Sequence, residues 1–225
     1  MATFFAGNSL WQLVWQADTI SFAVLIILFF MSVICWTIFL CKVALFSLKK
    51  RQLKKMNTDM KKVQGLQDLL TMATSYNSNS LPGYFLSKNL SFLQPLMASN
   101  GSLQLHEREL VQHQLDQTVD TIVMDEESFL PFLSTSAAVA TLLGLLGTVW
   151  GLIHAFIRIS EKQVADITTV APGIAEALVT TLAGLFVAIP ALIMFNYLTN
   201  QLRKIEQELF TVADRVNVII QQYIR

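Results

Sequence analysis

Between Asp18 and Lys42 the chain carries no charged side chain, and the 23 intervening residues read TISFAVLIILFFMSVICWTIFLC. A helix of that length crosses a hydrocarbon core of about 30 Å, which needs about 20 residues. Two more such runs follow. Residues 128–157, between Glu127 and Arg158, hold only His154 as a titratable group, and residues 167–202 hold a single charge, Glu176. In lipid every backbone N–H and C=O must be bonded inside the protein, so each run is expected to be helical. The expected fold is an all-α integral membrane protein with spans at 19–41, 128–157 and 171–199. Composition agrees, because 14% of the residues are charged and 53% hydrophobic, where a soluble domain has about 25% charged. A signal peptide is not expected in the first run. No Lys or Arg precedes it, and its apolar stretch exceeds the usual ~7 to 15 residues.

Basic residues set the orientation. Lys42, Lys49, Lys50, Arg51, Lys54, Lys55, Lys61 and Lys62 follow the first span, whereas residues 1–18 contain no Lys or Arg. The positive-inside rule puts residues 1–18 outside, 42–127 in the cytoplasm, a short loop at 158–170 outside and 200–225 in the cytoplasm. Phe4, Phe5, Leu10, Trp11, Val14 and Trp15 suggest a short interfacial helix in the outer segment. Residues 74–102 are rich in Ser and Asn with two prolines and two glycines, and read mostly as loop with short helical pieces. From 103 to 127 Val111, Leu115, Thr118, Val119 and Ile122 share a helical face, and that helix is expected to run unbroken into the second span. Leu198, Leu202, Ile205, Leu209, Val212, Val216, Ile219 and Tyr223 recur at alternating spacings of 4 and 3, a heptad seam. The third helix is therefore expected to continue well past the membrane. The two extensions can pack antiparallel as a cytoplasmic stalk.

Small residues are ordered in the later spans. Ala137, Ala140, Gly144, Thr148, Gly151 and Ala155 form one stripe, with Gly147 beside it, and Gly173, Ala177, Thr181, Gly184, Ala188 and Ala191 form another. Such stripes let helix backbones approach closely where lipid offers no hydrophobic drive, either within a chain or between copies. Pro190 removes a backbone hydrogen bond and is expected to kink the third span.

Glu176 is the residue with a chemical claim. A carboxylate deep in a span costs about 2.5 to 3.5 kcal/mol on insertion scales, and such groups face polar cavities and mark ion or proton routes. A carboxyl group can take up and release a proton, which a proton carrier needs. Thr180 and Ala183 share its helical face, so Thr180 is expected beside it on the proton pathway, and Thr181 lies about 140° round on the packing seam. If the helix began at Pro172 and Gly173, Glu176 would lie only one turn below the outer headgroups.

Other chemistry is poorly represented. Sixteen basic and sixteen acidic residues cancel to zero net charge, so no field attracts nucleic acid. Cys35 and Cys41 point about 240° apart on one helix and cannot bridge each other. No Ser/His/Asp constellation, metal-ligand cluster or phosphate loop appears, so neither an enzyme nor a bound cofactor is expected. His106 and His113 read as solvated helix residues.

The stretches GLLGTVWGLIHAF, residues 144–156, and VAPGIAEALVTTLAGLFVAIPALIMFNYL, residues 170–198, strongly resemble the TolQ/ExbB branch of the bacterial MotA/TolQ/ExbB proton-channel family. His154, Ala155, Phe156 and the short outer segment look more like the TolQ side of that branch. The resemblance implies an inner-membrane subunit that forms a pentameric ring around a single-span TolR- or ExbD-like partner. It further implies that proton flow drives the assembly, with a TolA- or TonB-like protein possible as a further partner. Residue by residue, it makes Thr148 and Thr181 pore-lining threonines and Glu176 the acidic pore residue. A passive scaffold is the competing reading of another class, but a scaffold gains nothing from burying Glu176.

Overall fold

The computed structural model describes residues 19–63, 65–77, 80–100, 105–162 and 167–223. The outer interfacial helix expected from Phe4 to Trp15 lies outside the described residues. Six helices follow in order: α1 Thr19–Met60, α2 Leu66–Ser75, α3 Leu81–Asn100, α4 Leu105–Glu127, α5 Leu130–Lys162 and α6 Ile167–Tyr223. Among the described residues there is no strand. Three helical stretches are long and apolar enough to cross a membrane: Thr19–Met60, Arg108–Ser160 and Val170–Gln221.

The chain divides into two compact units, Met1–Leu40 with Leu130–Asn196, and Cys41–Phe129 with Tyr197–Arg225. In the first, Val24 and Leu28 pack with Ala140 and Ala188, and Met31, Leu143, Ala183 and Val187 close around them. Its outer surface is apolar, with Phe29, Phe30, Leu142, Phe186 and Ile193 all exposed. Water would penalise that surface, and hydrocarbon does not.

The second unit is built like a soluble helical bundle, with its apolar residues turned inward. Leu198, Leu202, Ile205, Leu209, Val212, Val216 and Ile219 are all buried along the tail of α6. Hydrogen bonds join that tail to α1, from Lys50 to Gln201 at 3.5 Å, Asn57 to Glu208 at 2.6 Å and Arg215 to the Asn57 carbonyl at 3.4 Å. The first two pairs are each 151 residues apart, so these two tails run parallel. The α1 tail is thus a stalk helix that the sequence reading treated only as a basic cluster. Its signal was present, because Phe46, Leu53, Met56 and Met60 are spaced 7, 3 and 4 and all are buried.

Two expectations are corrected here. Residues 81–100, read mostly as loop, form one helix of 20 residues. Ser80 caps it, accepting from the Gly83 amide at 3.2 Å, and Pro82 fits in a first turn whose amides need no intrahelical acceptor. Phe85, Leu86, Leu90 and Leu93 are its buried face, and Asn89 on that face is satisfied by the Phe85 carbonyl at 2.8 Å and by the Thr118 hydroxyl at 3.2 Å. The intervening Ser and Asn masked this period. The helix from 105 also does not run unbroken into the second span, since a turn at Ser128 and Phe129 separates α4 from α5. Pro131 explains the break, because it offers no N–H to the Glu127 carbonyl and its ring crowds that carbonyl.

Candidate functional site

α5 and α6 are antiparallel neighbours whose small-residue stripes face each other within the one chain. A methyl group built on Gly144 would stand 3.2 Å from Thr181 Cα and 3.4 Å from Gly184 Cα. One on Gly184 would stand 2.6 Å from the Ala140 carbonyl oxygen, and one on Gly151 2.8 Å from Ala177 Cβ. Gly173 meets Ala155 at 3.2 Å in the same sense, and a methyl group on Gly147 would overlap the Thr180 side chain. Ala137, Ala140, Ala155, Ala177, Ala188 and Ala191 are buried along the seam. At Gly147, Gly151 and Gly184 a methyl group would stand closer than 3.0 Å to a neighbour, so something must shift to admit it.

The threonines use their hydroxyls in two ways. Thr148 donates back to the Leu145 carbonyl at 2.7 Å, and Thr180 to the Glu176 carbonyl at 3.0 Å, as membrane threonines commonly do. Thr181 instead donates across the hairpin to the Gly144 carbonyl at 2.8 Å, tying α6 to α5 at their closest approach. Glu176 is half-buried. α6 begins at Ile167 and includes both Pro172 and Pro190, so Glu176 is set nine residues, about 14 Å, along a continuous helix.

Helical phase sorts these groups onto two flanks of the hairpin. Glu176 lies about 80° to one side of the α6 seam and Thr181 about 60° to the other. On α5, Thr148 falls on the Thr181 flank, whereas His154 and Trp150, whose rings stack at 5.1 Å, fall on the Glu176 flank. Leu143, Ala183 and Val187, which pack against the α1 cluster, are also on the Glu176 flank. One side of the hairpin therefore carries Glu176 and Thr180 and is covered by α1. The other carries Thr148 and Thr181.

The second unit holds a charged group that sequence reasoning missed. Lys42 and Glu126 are both buried, 8% and 9% exposed, although each sits at the end of an apolar run. Lys42 Nζ donates to the Glu126 carbonyl at 2.7 Å and lies 3.7 Å from its carboxylate. Lys49 pairs with the same carboxylate. The rings of Phe46 and Phe129 flank the Lys42 ammonium at 5.5 and 5.7 Å. A lysine near the C-terminal carbonyls of α4 also complements that helix's dipole. Further down, the Tyr76 hydroxyl donates to Asp59 at 2.8 Å and joins α2 to α1.

The sequence profile of the MotA/TolQ/ExbB proton channel family matches residues 77–210. The biopolymer transport protein ExbB of Salmonella typhimurium is 31% identical over 208 residues, covering 92% of this chain and 84% of the relative. The Tol-Pal system protein TolQ of Haemophilus influenzae is 46% identical over 94 residues, 42% of this chain and 41% of the relative. TolQ of Pseudomonas aeruginosa is 43% identical over a segment of the same length.

Proposed function

Because the chain belongs to the MotA/TolQ/ExbB proton channel family, we propose that it is the multi-pass subunit of an inner-membrane motor driven by the proton gradient. It works as a TolQ-type subunit with a single-span TolR-like partner and energises a Tol-Pal envelope system. The observation that carries this reading is Glu176, one carboxyl among 36 otherwise uncharged positions, beside a hairpin closed by glycine contacts. Five copies of the chain form a ring, and the partner helix occupies its centre. Glu176 exchanges protons with an acidic group on the partner. Thr148 and Thr181 lie on the opposite flank, where their oxygens still accept hydrogen bonds from water. No covalent catalysis is involved.

A second reading is favoured by coverage. The ExbB relative aligns over 92% of the chain, whereas the more identical TolQ relatives align over 42%. In that reading the subunit energises outer-membrane uptake through a TonB-like protein. The proton chemistry is common to both.

Replacing Glu176 with Gln keeps the shape and removes the titration, whereas Asp keeps the titration and shortens the reach. Gln is expected to leave the complex assembled and abolish gradient-driven function, and Asp to retain part of it. The assay is growth on detergent and bile salts, with co-purification of the partner as the check on assembly. Full function with Gln would exclude proton exchange at this residue and favour a passive scaffold. Intact bile-salt resistance in cells lacking the chain, with loss of energised uptake, would select the ExbB-type role.

A further inference from the structure

Two polar side chains in the membrane unit are completely covered, Ser21 and Thr180, each 0% exposed. They are satisfied differently. Thr180 donates its only proton to the Glu176 carbonyl, which leaves its oxygen able to accept. Among the described residues Ser21 Oγ has no hydrogen-bond partner, unlike Thr37, Thr141 and Thr148, which bond to carbonyls of their preceding turns. A buried hydroxyl with nothing to bond is a standing cost, and an internal water is the usual remedy, making about three hydrogen bonds.

Register puts both hydroxyls one turn outward of the same apolar cluster. Ser21, Val24 and Leu28 form one stripe of α1, and Val24 and Leu28 pack with the cluster that contains Ala140, Leu143, Ala183 and Val187. One turn outward from Val24 is Ser21. One turn outward from Ala183 is Thr180, and one turn outward from Leu143 is Gly147, which itself abuts the Thr180 side chain. Glu176 is one turn beyond Thr180 on the same flank. We infer that Ser21 and Thr180 hold a buried water between α1 and the hairpin, and that this water takes up the proton Glu176 releases and returns it.

The bonding balances. The water accepts from the Ser21 hydroxyl and donates one proton to Thr180 Oγ1, keeping one proton and one lone pair. A proton released by the Glu176 carboxyl adds to that lone pair to give hydronium, and the hydronium hands one proton back to the carboxylate, so the water holds the proton while Glu176 is ionised. This inference rests on the proposed proton exchange at Glu176, and beyond it assigns Ser21 of α1 and a buried water.

The test uses the complex purified from membranes and reconstituted in liposomes, with proton flux as the readout. Ser21→Ala and Thr180→Val are each expected to reduce flux about three- to tenfold, the ratio set by losing one neutral hydrogen bond. The double variant should fall no further than either single one, because both remove the same water. Unchanged flux in both singles, or losses that multiply in the double, would overturn this role of the water. Glu176→Gln is the separate control, since wild-type flux in that variant would refute the proton-exchange reading itself. A cryo-EM map of the unmodified complex gives a measurement free of folding effects. Density bridging Ser21 Oγ and Thr180 Oγ1 is expected, and a Ser21 hydroxyl bonded to a backbone carbonyl with no such density would exclude the site.

Discussion

Gly147 and Gly184 show how little room the α5–α6 seam leaves. A methyl group on Gly147 would stand 2.7 Å from Thr180 Cβ, and one on Gly184 2.6 Å from the Ala140 carbonyl oxygen. Neither obstacle is the free end of a flexible chain. Alanine at either position should therefore destabilise the hairpin by about 1 to 3 kcal/mol, the usual range for overpacking. Thermal unfolding in detergent checks this, and an unchanged midpoint in both variants would contradict the packing described. Tyr76 carries a different prediction. Burial, the hydrogen bond to Asp59 and the Asp59 charge push its hydroxyl up from 10.0 to about 12. A raised folded-state value means that the Tyr76–Asp59 link contributes fully below pH 10 and is lost as pH rises through about 12. Wild type should lose stability between those limits relative to Tyr76→Phe, which lacks the titrating group. Parallel stability curves for the two proteins across that window would refute the link.

At the scale of elements, the end of α4 is held to α1 by charges. Lys42 and Glu126 have side chains only 10% and 12% exposed, whereas that of Lys49 is 26% exposed. Removing one partner of a buried pair leaves the other charge uncompensated and costs about 3 to 5 kcal/mol. Glu126→Ala strands Lys42 and should lie in that range. Lys49→Ala leaves the Lys42 pair in place and should cost about 1 kcal/mol or less. Denaturation of the two variants side by side tests the ordering, and equal losses would show that Lys42 is not the buried partner. The same group explains an error of sequence reading. Eight basic residues after a span indicate membrane orientation, and nothing in their charge distinguishes Lys42, turned inward onto Phe46 and Phe129, from neighbours in water.

For the whole molecule, the two free cysteines report on the proposed orientation. Cys41 is exposed at the expected inner end of the first span, and Cys35 is buried six residues earlier. A membrane-impermeant thiol reagent should label Cys41 in inverted vesicles and not in intact cells, and should leave Cys35 unmodified in both. Labelling of Cys41 from outside would reverse the topology.

The three apolar runs, the α6 seam and the lone acidic residue in the third run were legible because each depends on local chemistry. Charge is excluded from hydrocarbon, and a heptad seam repeats along one helix whatever it packs against. The small-residue stripes were legible as stripes, but their use was not. Only the tertiary structure decided that they face each other inside one chain, because small residues state that a backbone approaches and not whose backbone it is. Helix α3 stayed hidden behind its serines and asparagines until Phe85, Leu86 and Leu93 had a surface to bury against. The covered hydroxyl of Ser21 was invisible for the same reason. Whether a serine is orphaned depends on what lies over it, and that is set by the packing of three helices distant in sequence.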